Sequence, residues 1–534
     1  MSDVFFTALT PLSLLERSAE VYPEKIAIIH GERRLSYREF AAHTQQLASA
    51  LQASMITPGD RVAYLCPNIP EMLIAHFAVP LAGAVLVAIN NRLATEEIRY
   101  ICNHSGAKLL FADTELHPVL EPLAGNLATV REIISVDDAG IGPRVAGPSY
   151  ADFLNRGAGA VPLPWKVDDE LRTICLNYTS GTTGQSKGVM YTHRGAYLNA
   201  LGEIIHCAFT PDTVYLWTLP MFHCNGWCMT WAVTGIGGTH ICLRQVRADV
   251  IWHALATQSV THLAGAPTVL TTIANAPQAE PLDRELVVTT AGAPPSPTII
   301  AQMERLGARV IHVYGLTEVY GPYTICQWQD SWAREQPAAR ARKLARQGVA
   351  MLIADPIRVV DEQMRDVPRD GQTIGEVVMR GNNVMTGYFN DPEATNRAFH
   401  GGYFHSGDLA VWHPDGYIEL RDRAKDIIIS GGENISTIEV EQAIVAHPAV
   451  LEVAVIGVPD ERWGERPKAF VVRKPGHQVS SQELVEHCRG LIARYKVPDH
   501  IEFVDELPKT STGKLQKFAL REREWSGQQQ RIKG

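Results

Sequence analysis

Eleven consecutive residues, Tyr178-Thr179-Ser180-Gly181-Thr182-Thr183-Gly184-Gln185-Ser186-Lys187-Gly188, gather hydroxyls, glycines and one lysine into a loop that follows an apolar run at 173–176. Glycines let backbone N–H groups approach a ligand closely, hydroxyls donate hydrogen bonds, and lysine adds a mobile positive charge. That composition suits the oxygens of a polyphosphate. The loop is not a Walker A sequence, which needs glycine directly before the lysine, where this chain has Ser186. A flexible polar loop is the plain alternative. Tyr314-Gly315-Leu316-Thr317-Glu318 follows a strand-like run at 309–313. Open α/β sheets bind ligands at the C-terminal ends of their strands, and a carboxylate there, Glu318, suits a magnesium ion beside phosphates. Ser406-Gly407-Asp408 sets a carboxylate in a turn, able to accept from two neighbouring sugar hydroxyls. Asp422-Arg423-Ala424-Lys425-Asp426, then Ser430-Gly431-Gly432-Glu433-Asn434, reads as a charged joint followed by paired glycines, which suits a hinge. Pro508-Lys509-Thr510-Ser511-Thr512-Gly513-Lys514 presents Lys514 on a rigid, turn-forming flank.

A further cluster, His223-Cys224-Asn225-Gly226-Trp227-Cys228 with His240 and Cys242, holds zinc-type ligands. Its spacing matches no usual structural zinc pattern, and free cysteine is commonly a small buried hydrophobe. Nine cysteines at irregular spacing fit a reducing cytoplasm better than a disulfide framework. A net charge of −9 argues against nucleic acid or an anionic membrane as the main partner. An anionic ligand must then rely on a local basic site. No secretory signal is expected from the Met-Ser-Asp-Val start, and the closing Arg-Ile-Lys-Gly is no peroxisomal address. The longest apolar region, 75–89, is interrupted by His76, Pro80 and Gly83 and is too short for a transmembrane segment. A cytoplasmic location is the resulting expectation.

These residues need elements to carry them. A chain of 534 residues exceeds one core and implies several subdomains. Over 1–164, strands (61–65, 85–89) alternate with helices (70–81, 93–103), the rhythm of crossover units on a parallel sheet. Gly157 to Pro164 looks like a linker. A second α/β unit is expected over 165–347, with strands at 171–176, 214–218, 239–243, 260–263, 286–290 and 309–313 and a helix at 297–305. The basic segment 332–346 reads as a solvated surface helix. Short β runs between Gly, Asp-Gly and Asn turns over 348–421 suggest a small antiparallel sheet or barrel. A hinge at 422–427 leads to an α+β domain, 428–534, with strands at 449–457, 469–473 and 501–504 and helices at 436–446 and 481–494.

In their order and rough spacing, the six motifs resemble those of the adenylate-forming superfamily: acyl-CoA synthetases, nonribosomal-peptide adenylation domains and beetle luciferases. The resemblance covers nearly the whole chain; Ser186 departs from it, since proline commonly precedes the lysine. It implies an α/β fold with a large N-terminal domain of two doubly wound α/β subdomains plus a small β-barrel, and a smaller, mobile α+β C-terminal domain. ATP, Mg2+ and coenzyme A are the implied cofactors and co-substrates. The resemblance assigns Thr179, Ser180, Gly181, Thr182, Thr183, Gly184 and Lys187 to the phosphates, and Thr179 with Glu318 to magnesium. Thr317 and Glu318 would stand at the reacting phosphates. Gly292, His312, Val313 and Tyr314 would line the adenine site, and Asp408 and Arg423 would bind ribose. Lys514 would bridge carboxylate and α-phosphate. Lys425 would be the pivot, beside the nucleotide, and Ser430, Gly431 and Gly432 would line the thiol's path.

Pro220-Met221-Phe222-His223-Cys224-Asn225-Gly226-Trp227 is similar to the acyl-pocket segment of the fatty acyl-CoA synthetase branch. This likeness puts His223, Cys224, Gly226 and Gly315 at the acyl group, His223 close to the chemistry, and makes Trp227 the gate; a core aromatic is the plainer alternative. A medium- or long-chain fatty acid is the expected substrate. A carrier-protein-loading enzyme, or a ligase for a short-chain, thioether or aromatic acid, is the alternative. Fatty acyl relatives are often homodimers, so a homodimer is expected too.

Overall fold

The computed structural model describes residues 4–145, 147–179, 185–430, 433–460, 462–509 and 515–526. Four sheets organise them. The first has six strands, in the order Glu132–Val136, Ala107–Asp113, Arg61–Leu65, Val85–Ala88, Thr173–Tyr178, Gly188–Thr192, all parallel until the last. Its inner strands are buried on both faces, as a parallel sheet covered by crossover helices must be. The helix Pro70–Leu81 forms as expected: proline stands at its first position, where no N–H partner is lost, and all of it is buried.

The second sheet has nine strands, with Leu286–Thr290 and Ala308–Leu316 near its middle and Ile26–His30 close to one end. The expected division at 164/165 does not separate the two sheets. Ile26–His30 pairs in parallel with Thr239–Ile241 in the second, while Thr173–Tyr178 pairs in parallel with Val85–Ala88 in the first. A strand joins whichever edge its buried faces match, however distant in sequence, so the linker-like composition at 157–164 marks a surface crossing and not a boundary.

The β-rich part is a four-stranded antiparallel sheet, Arg358–Val360, Ile374–Met379, Phe404–Trp412 and Ile418–Arg423. Its outer strands do not pair with each other among the described residues, so of the antiparallel sheet or barrel expected there, the open sheet forms. The segment 332–346 carries the expected surface helix, Pro337–Leu344, with Arg334, Gln336 and Arg342 exposed. Its other face is packed: Trp332 and Leu344 are buried, and the Arg346 guanidinium lies 4.6 Å over the Tyr417 ring and 3.0 Å from Asp415. The C-terminal domain has its own core around Ile428, Val440, Val455 and Leu484. No helix among the described residues is long and apolar enough to cross a membrane.

Candidate active site

The phosphate-type loop is closed at its neck by its own backbone. Thr179 N donates to Lys187 O at 3.0 Å, and Lys187 N donates to Thr179 Oγ1 at 3.2 Å. Ser180, Gly181, Thr182, Thr183 and Gly184 lie outside the described residues, as do Gly431, Gly432 and Lys514. From the neck, Lys187 extends its ammonium 4.7 Å over the Tyr388 ring. The Tyr388 hydroxyl donates to Glu318 Oε1 at 2.8 Å. Lysine, aromatic ring and carboxylate therefore form one continuous arrangement, and Tyr388 was not among the residues expected from sequence. It reaches the site because 386–389 docks as an extra edge on Gly188–Thr192, with Phe389 N donating to Gly188 O at 2.7 Å.

Thr317 and Glu318 are fixed from behind. The Tyr191 hydroxyl donates to Thr317 O at 2.6 Å, and Tyr191 stacks on Tyr320 at 3.9 Å between ring centres. Met385 N donates to Glu318 O at 2.8 Å. Burial raises the Glu318 carboxyl, while the Tyr388 hydroxyl and the Arg423 and Lys187 cations pull it back down. Magnesium takes oxygen ligands, and a shielded carboxylate together with the Thr179 hydroxyl meets that preference. A dication would also relieve the burial cost of the Glu318 charge, so these residues fit the ion.

At the C-terminal end of Ala308–Leu316 the Tyr314 hydroxyl donates to Asp408 Oδ2 at 2.7 Å, and Arg423 Nε stands 3.3 Å from Asp408 Oδ1. Asp408 and Arg423 face each other across neighbouring strands. Val313 is buried, and Gly292 is exposed at φ +90° with open space beside it. The His312 imidazole is engaged elsewhere, with Nδ1 2.9 Å from Arg346 O, and burial pushes it down to about 4. Any nucleotide contact at 312 therefore falls to its backbone.

The acyl-type segment has a local conformation that sequence reasoning missed. Cys224, Asn225, Gly226, Trp227 and Cys228 all have φ between 46° and 61°, a full left-handed turn. Non-glycine residues there cost roughly 1–2 kcal/mol each, so strong anchors are required. Asn225 is one: its Oδ1 accepts from Asn177 Nδ2 at 2.5 Å and from the Cys175 thiol at 2.8 Å. The turn places Cys224 Sγ 3.6 Å from Thr317 Oγ1 and 3.9 Å from His223 Nε2. Trp227, 4% exposed, packs so closely on Gly321 that a Cβ there would meet its indole at 2.7 Å. Gly315 admits no side chain at all, since a Cβ would lie 1.8 Å from Gly321 O. The signal available in sequence was the Asn225-Gly226 pair, since both types tolerate positive φ.

The segment 422–427, where a hinge was expected, links the β-rich sheet to the C-terminal domain. Asp422 Oδ2 accepts from Thr437 N and Oγ1, both at 2.8 Å, and Ser436 donates to Arg421 O. Lys517 and Arg521, on the last helix, pair with Glu441 and Asp426. Lys425 is half-buried in the intervening turn; burial, then the neighbouring Arg423 charge, lowers its pKa. Ser430 is buried and paired with Gly464.

Residues 15–389 match the model of an AMP-binding enzyme, and residues 439–514 that of the AMP-binding enzyme C-terminal domain. The chain is 46% identical to an acetate–CoA ligase of Humulus lupulus, covering 97% of this chain and 94% of that one. It is 44% identical, with the same coverage, to a peroxisomal acetate/butyrate–CoA ligase of Arabidopsis thaliana, and 41% identical, again with 97% and 94% covered, to a peroxisomal trans-cinnamate:CoA ligase of Petunia hybrida. Among solved structures, the anthranilate CoA ligase AuaEII with anthranoyl-AMP aligns with a TM-score of 0.87 at 25% identity, over 98% of this chain and 99% of that one. ATP-bound MatB from Rhodopseudomonas palustris aligns at 0.83 and 29%, over 97% and 99%.

Proposed function

The chain belongs to the AMP-binding, adenylate-forming enzyme family and is an ATP-dependent acid–thiol ligase that works through an acyl adenylate; on that premise we propose that its acid is a short-chain aliphatic one and its acceptor free CoA. The observation that carries this reading is the burial of Trp227, the gate candidate, against Gly321 within the left-handed turn. A long alkyl chain needs that indole displaced; a chain of a few carbons does not. Similarity to acetate and butyrate ligases supports the shorter acid over the medium- or long-chain one that the Trp227 segment alone suggested.

In the first half-reaction a carboxylate oxygen attacks the α-phosphorus of ATP, and the bond to pyrophosphate breaks. Two anions must meet, so positioning and positive charge carry the catalysis. Thr179 and Lys187 would hold the phosphates, with Lys187 steadied on the Tyr388 ring. Asp408 and Arg423 would grip the ribose, and Lys514 would bridge carboxylate and α-phosphate. Magnesium, held by Glu318 and Thr179, would neutralise charge on the leaving pyrophosphate. His223 and the Cys224–Thr317 contact would wall the acyl group. In the second half-reaction the CoA sulfur attacks the acyl carbonyl, the bond to AMP breaks, and the thiol proton goes to solvent. We assign the pivot between the two steps to Lys425 and the thiol's path to Ser430, Gly431 and Gly432. A cytoplasmic location is part of the proposal and rests on nine buried cysteines at irregular sequence spacing; two of the relatives described above are named as peroxisomal.

Pyrophosphate release measured across unbranched acids from C2 to C16, with trans-cinnamate and benzoate included, tests the assignment. Highest kcat/KM between C2 and C5 is expected; a maximum at C8 or beyond, or on an aromatic acid, contradicts it. Swapping CoA for a carrier protein's pantetheine in the same assay tests the acceptor.

A further inference from the structure

Beneath the left-handed turn lies a group of polar side chains that the mechanism does not use. The helix His193–His206 places Asn199 and Glu203 one turn apart on one face, and both are fully buried. The Cys207 thiol donates to Glu203 Oε2 at 3.4 Å. Tyr215, also buried, stands close enough for Cys207 and Glu203 to raise its phenol further, beyond what burial does. Asn199 Oδ1 and Nδ2, Glu203 Oε1 and Tyr215 Oη are all buried, and none makes a hydrogen bond of normal geometry to the protein. Native interiors rarely leave such atoms unmet; where protein supplies no partner, ordered water does, given two to four polar groups to bind it. Burial pushes the Glu203 carboxyl up to about 8, so at neutral pH it is protonated and can both donate and accept.

This group sits one layer of side chains from the gate. Asn199 touches the Cys228 thiol, and Cys228 directly follows Trp227. On the other side the Tyr215 ring packs against Trp217 at 4.9 Å, and Trp217 is what a Cβ on Gly226 would strike at 2.6 Å.

We propose that Asn199, Glu203 and Tyr215 form a hydrated polar floor under the acyl gate and that this floor sets the upper limit on chain length. The proposal rests on the short-chain reading above and adds its physical cause. A longer alkyl chain that pushed through the gate would expel the floor's water and strand its polar atoms, so their desolvation opposes the longer substrate. A short chain ends above the floor and leaves the water in place.

The test is the ratio of kcat/KM for hexanoate to that for acetate in purified full-length variants. Asn199→Leu combined with Glu203→Met makes the floor apolar and should raise the ratio about tenfold or more, the scale of a methylene's discrimination in an apolar pocket. Glu203→Gln keeps the hydrogen-bonding atoms and should move the ratio far less. Tyr215→Phe removes one oxygen and nothing else, and should raise the ratio by a smaller factor even if the double variant fails to fold. An unchanged ratio in the folded double variant, or in Tyr215→Phe, overturns the floor. A wild-type enzyme inactive on C2 to C5 acids would instead overturn the short-chain reading, so the two failures are distinguishable.

Discussion

Tyr388 does two jobs with one side chain: its ring faces the Lys187 ammonium and its hydroxyl orients the Glu318 carboxylate. A hydrogen bond to a charged group is worth about 1.5–3 kcal/mol. Tyr388→Phe keeps the ring and should slow pyrophosphate release roughly 10- to 100-fold on that scale, with more Mg2+ needed for half-maximal rate and for nucleotide binding in equilibrium titrations. A Mg2+ requirement equal to wild type would show that the hydroxyl does not position Glu318. Tyr388 was illegible in the sequence because nothing in Thr386-Gly387-Tyr388-Phe389 has a period or a motif; only the edge pairing with Gly188–Thr192 brings it to the loop. Glu318 and Asp408 could be singled out in sequence because each stands beside turn residues, whereas the ribose role proposed for Arg423 came from the resemblance of its motif. Nothing local in the sequence marks Asn199 or Glu203, whose burial depends on the helix Met229–Gly235 packing over them.

At the level of elements, the expected helices 70–81 and 297–305 and the strands 61–65 and 286–290 form with those boundaries, because proline, capping serine and β-branched runs act through near neighbours. Sheet membership is a long-range property: the strand expected at 171–176 forms as Thr173–Tyr178 and joins the first sheet, while Ile26–His30, where no strand was expected, joins the second. The left-handed turn at 224–228 is likewise held by distant residues, Asn177 and Cys175. Gly321→Ala tests the gate role proposed for Trp227. With φ at +99° and the Trp227 indole 2.7 Å from the new Cβ, the variant should raise KM for the acid at least tenfold with little change in KM for ATP; equal effects on both would place Trp227 outside the acyl site. The turn between Ile418–Arg423 and Ile428–Ser430 is tested by Lys425→Pro, which fixes one φ angle. Pyrophosphate release should survive while thioester formation from pre-made acyl adenylate falls at least 100-fold, a loss of about 3 kcal/mol or more. Loss of both half-reactions would misplace the pivot.

Across the whole molecule, the two large sheets are tied by charge as well as by packing. Arg244, after the second sheet's Thr239–Ile241, pairs with Asp113 at 2.9 Å and Asp138 at 2.7 Å, both at the ends of first-sheet strands, and Asp138 also meets His30 at 2.8 Å. Between the sheets lies the buried Glu203, whose carboxyl is held near 8 against an ordinary value of 4.5. Between those two pH values the folded chain keeps a proton that the unfolded chain releases, so stability falls as pH rises from 4.5 to 8 and the cost is absent below 4.5. Glu203→Gln has no such titration. Its melting temperature should exceed that of wild type at pH 8 and converge with it near pH 4.5, the gap at pH 7 corresponding to roughly 3 kcal/mol. A gap independent of pH would mean that Glu203 is already ionised in the folded protein.

The central claim is that the nucleotide loop, the Tyr314–Asp408–Arg423 cluster and the gated acyl segment serve one two-step ligation. Product stoichiometry tests it most directly: purified protein with butyrate, ATP, Mg2+ and CoA, analysed by mass spectrometry and nucleotide chromatography. Butyryl-CoA, AMP and pyrophosphate in equal amounts are predicted, with butyryl-AMP accumulating when CoA is left out. Release of ADP and phosphate, or a thioester formed with no AMP, would contradict the account.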